Sequence, residues 1–506
     1  MIALPRAYNA ATHFVDRHVA EGRGARVAFR DDAGSLTYGE LADRTARVAG
    51  ALRALGVEPE QRVALCMLDS VDFPCVFWGA IRAGIVPVPL NTLLTTADYA
   101  YMLADSRARV VFVSDALAEK VLPAVAQSPH AKKVVRGSEL AALVGGASGA
   151  EAAATCSDDV AFWLYSSGST GTPKGALHLH AHLVQTAALY GEGVLGIRED
   201  DVVFSAAKLF FAYGLGNAMT FPMHVGASAV LLGERPTPAA VMRTMKTHQP
   251  TIFGGVPTLF ASILADASLD RAAGSQRLRA SISAGEALPK HVGDRWRDRF
   301  GSDILDGIGS TEMLHIFISN RHGDVRYGTS GKPVPGYDVK LVDESGEPVP
   351  EGEEGSLWVR GPSSAVAYWN QREKSLATFH GPWTRTGDRY ARDADGYYVY
   401  QGRADDMLKV GGIWVSPFEV EAALGAHAAV LEAAVVGHAD DEGLVKPRAF
   451  VVLKATVAAS PALAEELKAF VKGRLAPYKY PRWIEFVAEL PKTATGKIQR
   501  FKLRAG

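Results

Sequence analysis

Strand-like and helix-like runs alternate regularly in the first part of this 506-residue chain. Apolar, strand-like stretches at 62–67, 86–90 and 109–114 are separated by helix-like stretches at 71–83 and 96–106. This order is typical of βαβ units, in which helices join parallel strands and cover the sheet. The sequence therefore predicts an α/β fold built on parallel strands.

The length predicts several subdomains, because a single core rarely serves more than about 250–300 residues. Alternation continues to about residue 325, and from Gly331 short strands separated by Gly, Pro and Asp clusters predict a small β-rich subdomain. A further boundary is predicted near 402–406. We therefore predict an N-terminal domain at 1–403, with two βαβ-type subdomains and the β-rich one, and a small C-terminal α/β domain at 404–506.

Two Ser/Thr-x-x-Glu patterns predict capped helix starts, one at Thr37 and Glu40 and the other at Ser416 and Glu419. The first helix is expected to end before Gly56 and to bury one apolar face. The residues predicted on that face are Leu41, Val48, Leu52 and Leu55. The Ala- and Gly-rich segment 140–155 lacks sustained periodicity, which predicts a surface connector.

Composition excludes several classes of function. The 22% of charged residues is ordinary for a globular protein, and the net charge of −1 argues against a dedicated nucleic-acid or polyanion surface. Its three cysteines follow neither a metal-binding nor a disulfide pattern, which favours a reducing compartment. No export signal or membrane-spanning stretch is evident. We therefore expect a cytoplasmic protein that binds neither nucleic acid nor a membrane.

Residues 165–175 contain three glycines, five aliphatic hydroxyls and one lysine directly after an apolar run. Glycines allow backbone N–H groups to face anionic oxygens, hydroxyls add donors, and Lys174 supplies a cation. The pattern is not a Walker A loop, because Gly175 rather than Ser or Thr follows Lys174. A flexible connector is the alternative. The compact proline and lysine behind a buried strand favour a polyphosphate-binding loop.

Three histidines follow this loop at alternating positions, His178, His180 and His182. Alternation on one strand face suggests a metal site, but no carboxylate or further ligand set accompanies them. We therefore predict structural roles at the end of the strand.

Five further clusters accompany the loop, and all six together resemble, in family order, the adenylate-forming superfamily of acyl-CoA synthetases, nonribosomal adenylation domains and luciferases. The clusters are Ser-Ala-Gly-Glu-Ala-Leu at 283–288, Gly-Ile-Gly-Ser-Thr-Glu at 307–312, Thr-Gly-Asp at 386–388, Gly-Arg-Ala-Asp-Asp at 402–406 and Pro-Lys-Thr-Ala-Thr-Gly-Lys at 491–497. The resemblance implies ATP, Mg²⁺ and coenzyme A as cofactors or co-substrates. It also implies that the C-terminal domain is mobile, with its hinge at Asp405.

The resemblance assigns catalytic roles to Lys174, Glu312 and Lys497. Glu312 would bind Mg²⁺, which suits a hard cation that takes one carboxylate plus phosphate oxygens. Lys497 would offset charge at the α-phosphate, since an ionised carboxylate substrate needs positioning rather than a general base. The simpler alternatives are a solvated turn glutamate and a solvated tail lysine.

The nucleotide site implied by the resemblance includes Asp388, assisted by Arg403, as the ribose contact, with a weak surface ion pair as the alternative. The full predicted set is Ser166, Ser167, Gly168, Ser169, Thr170, Gly171, Gly285, Glu286, Ala287, Asp306, Gly307, Ile308, Thr311, Asp388 and Arg403. One departure is Ile308, where many members of the family carry an aromatic residue that stacks on adenine. The resemblance implies that domain rotation brings in the CoA-binding residues Lys409, Gly411, Gly412 and Trp414. A tight hairpin turn explains the two glycines equally well and is compatible with the CoA role.

Residues 208–217 and 312–317 resemble the corresponding stretches of aryl-CoA ligases, especially those for benzoate and hydroxybenzoate. A flat ring needs apolar walls and close backbone approach. The residues predicted to line this slot are Ala212, Tyr213, Gly214, Ala284, Gly309, His315 and Ile316. His315 is expected either to donate to a ring hydroxyl or to pack, and Phe210 and Phe211 are expected in the core.

The sequence thus predicts an AMP-forming ligase that joins benzoate to CoA through an aryl-adenylate. A hydroxy-, halo- or aminobenzoate is the nearest alternative, because one substituent changes pocket demands by only about 1–3 kcal/mol. An enzyme that loads a carrier protein and a nucleotide-binding regulator without turnover are more distant alternatives. A homodimer and acetylation of Lys497 by a lysine acetyltransferase, reversed by a deacetylase, are further expectations.

Overall fold

The computed structural model describes residues 2–166, 173–404, 406–410, 413–440, 445–475, 479–492 and 498–504, with only the backbone at 409, 413 and 414. The fold is mixed α/β, as predicted. Within the described ranges, no helix is both long and apolar enough to cross a membrane. The domain boundary at 403/404 stays a prediction.

The βαβ units predicted near the start are confirmed. Helix Asp72–Arg82 and helix Thr96–Ser106 join the strands of a parallel sheet. In spatial order the four described strands of this sheet are Val86–Pro89, Arg62–Cys66, Val110–Val113 and Lys133–Arg136. Val63, Leu65 and Phe112 are buried on one face and Ala64 and Val111 on the other. Because these strands are covered on both faces, they appear in the sequence as continuous apolar runs, and their positions could be predicted accurately.

A larger sheet of nine described strands forms the second layer of the fold. Its six central strands are parallel, and antiparallel strands complete both edges. In spatial order the strands are Lys332–Pro333, Ile316–Ser319, Ile304–Gly309, Ala280–Ser283, Ile252–Gly255, Val202–Ser205, Ser228–Val230, Val27–Asp31 and Gly34–Thr37. The carboxyl ends of the parallel strands meet at one edge, where α/β proteins usually place their ligands.

An antiparallel hairpin contacts the four-stranded sheet. Its strands, Val160–Ser166 and Lys174–Leu179, carry the two ends of the predicted phosphate loop, and Val160–Ser166 packs beside strand Val86–Pro89. Phe162 and Leu164 are buried in the main core, whereas Trp163 points into the core of the parallel sheet. The alternating burial fixes the register of the hairpin.

The predicted β-rich subdomain is present as an antiparallel sheet. Its strands are Asp338–Val342, Glu354–Arg360, Trp383–Arg392, Phe379–His380 and Tyr398–Arg403. The chain continues into a two-stranded sheet of Leu408–Val410 and Ile413–Val415, and then a three-stranded sheet of Val430–Ala439, Val445–Leu453 and Trp483–Phe486. These strands, with helices Pro417–Gly425 and Pro461–Lys472, agree with the α/β character predicted for the C-terminal part of the chain.

Helices cover these sheets. The described α-helices are Arg17–Ala20, Tyr38–Ala54, Asp72–Arg82, Thr96–Ser106, Ala118–Gln127, Gly137–Gly145, His180–Thr186, Ala212–Leu215, Phe221–Val225, Pro238–His248, Pro257–Ala265, Lys290–Phe300, Arg372–Thr378, Pro417–Gly425, Pro461–Lys472 and Arg500–Arg504. A 3₁₀ turn covers Asp115–Leu117, and π-helical turns cover Thr12–Asp16, Ala187–Glu192 and Gly216–Thr220. π-helical turns are rare in proteins, and those that occur often lie at functional sites.

Three local expectations are corrected. Leu55 is 37% exposed, because the helix that begins after the Thr37 cap ends at Ala54. The segment 140–155 is not wholly a connector, since helix Gly137–Gly145 includes its first residues and buries Leu140. Ser416 caps its helix, but the Glu419 carboxylate accepts from Lys479 at 2.6 Å instead of completing a reciprocal capping box.

Candidate active site

Three side chains predicted from the sequence meet where the hairpin strands end and begin. Ser166 is the last residue of strand Val160–Ser166, Lys174 is the first of strand Lys174–Leu179, and the register pairs the two residues. Glu312 lies in the turn between two strands of the nine-stranded sheet. The Ser166 hydroxyl donates to Oε1 of Glu312 at 3.3 Å. The structure therefore brings one end of the phosphate loop to the predicted magnesium ligand.

Tyr368, a residue that sequence reasoning missed, joins these groups. Its hydroxyl donates to Oε1 of Glu312 at 2.7 Å and accepts from Nζ of Lys174 at 3.4 Å. The ammonium also lies 4.4 Å from the centroid of the tyrosine ring. Burial lowers the pKa of Lys174, whereas the charge of Glu312 raises it. Burial, and then the charge of Glu312, raise the pKa of Tyr368, so its hydroxyl stays protonated and links the cation to the carboxylate.

Tyr368 is held in place because the backbone on either side of it forms hydrogen bonds with the hairpin strand Lys174–Leu179. The N–H of Leu177 donates to the carbonyl of Ala367 at 3.0 Å, and the N–H of Trp369 donates to the carbonyl of Gly175 at 2.8 Å. In sequence Tyr368 resembles an ordinary core aromatic, and no spacing signal distinguishes it from one. Only the pairing of two segments distant in the chain reveals its position.

The histidines after the loop are committed to internal hydrogen bonds. Nε2 of His178 donates to the backbone carbonyl of Thr311 at 2.8 Å, which holds the Glu312 turn against the hairpin. Burial lowers the pKa of His178 to about 4, so the ring is neutral. Nδ1 of His180 accepts from the N–H of Ala10 at 3.0 Å. His182 lies with His180 in the following helix rather than on the strand face with His178, and Nδ1 of His182 accepts from the N–H of Leu179 at 3.2 Å.

Several predicted site residues lie outside the described residues. They are Ser167, Gly168, Ser169, Thr170, Gly171, Asp405, Gly411, Gly412 and Lys497. Only the backbone of Lys409 and Trp414 is described, and the two residues pair across the two-stranded sheet. The phosphate, hinge, CoA and α-phosphate roles of these residues stay predictions.

Asp388 and Arg403, predicted to bind ribose, are adjacent. The register of two antiparallel strands pairs them, and Nη1 of Arg403 lies 3.3 Å from Oδ1 of Asp388. Gly387 has φ +76°, and a Cβ there would lie 2.7 Å from Nη2 of Arg403. The positive φ favours glycine at this position of Thr-Gly-Asp, and a side chain there would also displace the guanidinium of Arg403.

A cavity of about 370 Å³ lies between the segments 287–294 and 328–330 on one side and the C-terminal helix Pro417–Gly425 on the other. It brings together Ala287 and Asp306, both predicted in the nucleotide site, with Tyr400 and Phe418, which the sequence did not single out. The rings of Tyr400 and Phe418 meet edge to face at 5.2 Å. Burial raises the pKa of Asp306 well above its ordinary value. The cavity has the size and the aromatic wall of a small-molecule site.

The remaining predicted nucleotide contacts are neighbours in sequence of the cavity-lining residues Ala287 and Asp306. Gly285 has φ +93° in the turn after strand Ala280–Ser283, and Glu286 is half-buried beside Ala287. Ile308 is half-buried and packs against the main core, and a Cβ at Gly307 would lie 2.6 Å from the carbonyl oxygen of Ile318. Gly307 is thus required by close strand packing, independent of any ligand.

His315 is the central side chain of the predicted aryl slot. Its ring lies 5.7 Å from the ring of Tyr213, 5.2 Å from Tyr190 and 4.4 Å from Phe221. Nε2 donates to the carbonyl of Tyr213 at 3.3 Å, and burial lowers the pKa of His315 to about 3. Nδ1 is therefore an unprotonated acceptor, and it has no hydrogen-bond partner among the described residues. The expectation that His315 donates to a ring hydroxyl is corrected accordingly, since the open nitrogen accepts.

Small and aromatic residues shape the rest of this slot. Ala212, Ala284 and Ile316 are buried, and the Tyr213 hydroxyl lies within 3.0 Å of the carbonyl oxygens of Gly255 and Ile282. Tyr213 therefore presents its ring, not its hydroxyl, to the slot.

Glycines allow the slot's own backbone segments to approach one another. A Cβ at Gly214 would lie 2.1 Å from the carbonyl oxygen of Lys208, and one at Gly309 would lie 2.6 Å from that of His315. At Gly216, in a π-helical turn, a Cβ would lie 2.4 Å from Cδ2 of His315. Gly216 was not predicted as a site residue, and its requirement is visible only once His315 is placed.

Asp69 anchors the start of the segment that carries the aryl slot. Its buried carboxylate accepts from the N–H of Leu209 at 3.2 Å. Nζ of Lys208 donates to the carbonyl of Glu234 at 2.7 Å. Burial raises the pKa of Asp69 to about 6, and the charge of Lys208 opposes this shift. No sequence pattern identified Asp69, because its contact with Leu209 joins distant parts of the chain.

Family models match the chain in two parts. The AMP-binding enzyme model matches residues 16–369, and the model of the AMP-binding enzyme C-terminal domain matches residues 419–497.

Full-length relatives share much of the sequence. The benzoate–CoA ligase of Thauera aromatica is 60% identical over 100% of this chain and 97% of its own length. The 4-hydroxybenzoate–CoA/benzoate–CoA ligase of Rhodopseudomonas palustris is 54% identical over 99% of this chain and 94% of its own. Among solved structures, a benzoate CoA ligase from Burkholderia xenovorans is 57% identical, with a TM-score of 0.93 over 98% of this chain and 100% of its own.

Proposed function

Because this chain belongs to the AMP-binding enzyme family, we propose that it is an AMP-forming aryl-CoA ligase acting on benzoate. A benzoate oxygen attacks the α-phosphorus of ATP, the bond to the β-phosphate oxygen breaks, and diphosphate leaves. The CoA thiolate then attacks the acyl carbon, and AMP leaves. The observation that carries the proposal is full-length similarity to benzoate–CoA ligases, and the aromatic slot around His315 supports it.

The described residues suit charge stabilisation rather than proton transfer. A carboxylic acid with an ordinary pKa near 4 is already ionised at neutral pH, so the first step needs alignment and offset of negative charge. Lys174 supplies a cation beside Ser166, where the phosphate loop begins, and Tyr368 fixes the distance between this cation and Glu312. Asp388 and Arg403 hold the ribose in the proposal. Lys497 stabilises charge at the α-phosphate.

Glu312 would hold Mg²⁺. Oε1 of Glu312 accepts two hydrogen bonds, whereas Oε2 accepts none from the described residues. One open carboxylate oxygen together with phosphate oxygens is the donor set that Mg²⁺ prefers, so the residues fit this ion. When bound, Mg²⁺ would offset charge on the phosphates of ATP.

A substituted benzoate is the second candidate substrate. Nδ1 of His315 is a buried acceptor with no partner in the described part of the chain, and a ring hydroxyl or amino group could donate to it. The similarity to a relative named for both 4-hydroxybenzoate and benzoate agrees with this candidate.

Diphosphate release separates the candidate functions. Purified protein with ATP and Mg²⁺ is assayed with benzoate, 2-, 3- and 4-hydroxybenzoate and 2-aminobenzoate, with and without CoA. We expect the highest kcat/KM with benzoate and multiple turnovers only with CoA. Turnover that ignores CoA would indicate a carrier-loading enzyme, and an absence of turnover would indicate a regulator. Lys497→Ala should slow adenylate formation by orders of magnitude.

We further propose a cytoplasmic location, which the three unpaired cysteines Cys66, Cys75 and Cys156 support. The homodimer and the acetylation of Lys497 stay predictions. Mass spectrometry of cell-derived protein tests the acetylation, and sedimentation tests the dimer.

A further inference from the structure

A small basic pocket lies at the amino ends of the four-stranded parallel sheet. It has a volume of about 200 Å³, and we call it the arginine pocket. Its lining residues are Gln61, Arg62, Arg107, Arg109 and His130. Arg62 begins strand Arg62–Cys66, and Arg109 directly precedes strand Val110–Val113. The topology of the sheet thus gathers side chains from separate loops into one concavity.

The arginines of this pocket form no salt bridge with a carboxylate among the described residues, although the charge of Arg107 acts on the nearby carboxylate of Asp105. Nε of Arg62 donates to the carbonyl of Ser106 at 2.7 Å, and Nη1 donates to that of Glu60 at 3.2 Å. The side chains of Arg107 and Arg109 make no ion pair or hydrogen bond within the described ranges. Asp105, two positions from Arg107, accepts instead from the Tyr165 hydroxyl at 2.6 Å. Three guanidinium groups therefore share a concavity that contains no acidic residue.

Two tryptophans hold two of the guanidinium groups in place. The guanidinium of Arg62 lies 5.5 Å from the ring of Trp163 and 5.2 Å from that of Trp369. Arg107 lies 5.5 Å from the same Trp369 ring. Stacking on aromatic faces pre-organises arginine side chains and leaves their N–H groups available. Burial, and then the nearby charge of Arg107, lower the pKa of Arg62, so a bound anion would relieve an existing repulsion.

We propose that the arginine pocket is a second anion-binding site, which takes a small phosphate-class anion, either inorganic phosphate or diphosphate. Guanidinium groups bind phosphate oxygens through paired N–H donors, and His130 and Gln61 add two further donors. The volume of the pocket is below the roughly 300 Å³ at which pockets for drug-sized ligands begin, which favours a phosphate group over a whole nucleotide. Inorganic phosphate from solution and diphosphate released by the proposed reaction are the two sources.

Isothermal titration at constant ionic strength tests the proposal. Inorganic phosphate and diphosphate are titrated separately into the wild type, Lys174→Ala, the double variant Arg107→Gln/Arg109→Gln, and Arg136→Gln. Arg136 is a matched control, because it lies in the same sheet but is paired with Asp115 at 2.9 Å. We expect saturable binding in the wild type, Lys174→Ala and Arg136→Gln. In the double variant the affinity should fall at least about tenfold, since charge-assisted hydrogen bonds are lost. The ion that binds more tightly identifies the source.

Three outcomes would overturn the proposal. They are no saturable binding of either ion by the wild type, unchanged affinity in the double variant, and loss of binding in Lys174→Ala, which would place the ion in the candidate active site. Circular dichroism and adenylation activity establish that the double variant is folded. As a second variant, Arg62→Lys keeps one positive charge but removes the fork and the stacked geometry, and it should also weaken binding at least about tenfold. Unchanged affinity in Arg62→Lys would contradict the pre-organised geometry on which the proposal rests.

Discussion

Replacing Tyr368 with phenylalanine removes the hydroxyl that, among the described residues, links Lys174 to Glu312. The lost hydrogen bond to Oε1 of Glu312 is 2.7 Å long, and hydrogen bonds to charged groups contribute about 1.5–3 kcal/mol. If that energy positions Glu312 for adenylate formation, kcat/KM falls about 10- to 150-fold. The ring remains, so its contacts with Lys174 and Phe379 persist and the fold should be little affected.

The defect should be independent of pH between about 6 and 9, because burial and Glu312 keep the Tyr368 hydroxyl protonated throughout this range. Diphosphate release is measured with benzoate and ATP over a series of Mg²⁺ concentrations, and the half-saturating Mg²⁺ concentration should rise. Tyr38→Phe is the matched control, since the Tyr38 hydroxyl is buried and donates to the carbonyl of Ala227 at 2.8 Å. A folded Tyr368→Phe variant with kcat/KM within twofold of the wild type would refute the reasoning, as would an equal loss in Tyr38→Phe.

Three further substitutions test separate parts of the structure. Asp69→Asn should gain stability relative to the wild type by up to about 3 kcal/mol as pH rises from 4 to 7. Folding raises the pKa of Asp69 to about 6, so the carboxyl ionises in the unfolded state at a lower pH than in the native state, and the wild type loses stability between these two pKa values. Equal pH profiles in urea unfolding would contradict this. Gly216→Ala should displace His315, raise the KM for benzoate at least about tenfold and lower stability by about 1–3 kcal/mol. The control is Gly145→Ala, whose Cβ would meet no atom within 4 Å and which should change neither quantity. An unchanged KM in Gly216→Ala would show that His315 does not shape the slot. Asp388→Ala should raise the KM for ATP about tenfold and leave that for benzoate unchanged, and equal effects on both constants would argue against a ribose contact.

The secondary structure near the start of the chain was predictable because strands that are buried on both faces leave continuous apolar runs in the sequence. Helix Thr96–Ser106 has the predicted bounds, and the strands and the other helix of this region differ by one or two residues. Errors occurred where a tertiary contact decides the outcome. Leu55 continues the apolar pattern of its helix but lies beyond its last turn, and Leu140 is buried although its neighbours resemble a linker.

The residues of the candidate site fall into the same two groups: those that a sequence pattern identifies and those that only a tertiary contact reveals. Ser166, Lys174 and Glu312 lie in compact motifs, so sequence patterns identified them. Tyr368 and Asp69 act through contacts with residues far away in the chain, and neither is set apart by its neighbours in sequence. Gly216 has a role only in relation to His315, whose position no local pattern specifies. Sequence motifs therefore identify the groups expected to contact the nucleotide, whereas the groups that position them become visible only in three dimensions.

The wide spacing of the site along the polypeptide has a consequence for protein synthesis. Ser166 meets Glu312 across 146 positions, and Lys174 meets Tyr368 across 194. Contacts this distant form late, because long segments must be ordered before they are made. A nascent chain that has emerged from the ribosome only through strand Lys174–Leu179 has the loop but neither Glu312 nor Tyr368. We therefore expect that no adenylate forms on the nascent chain before Glu312 and Tyr368 have both been translated.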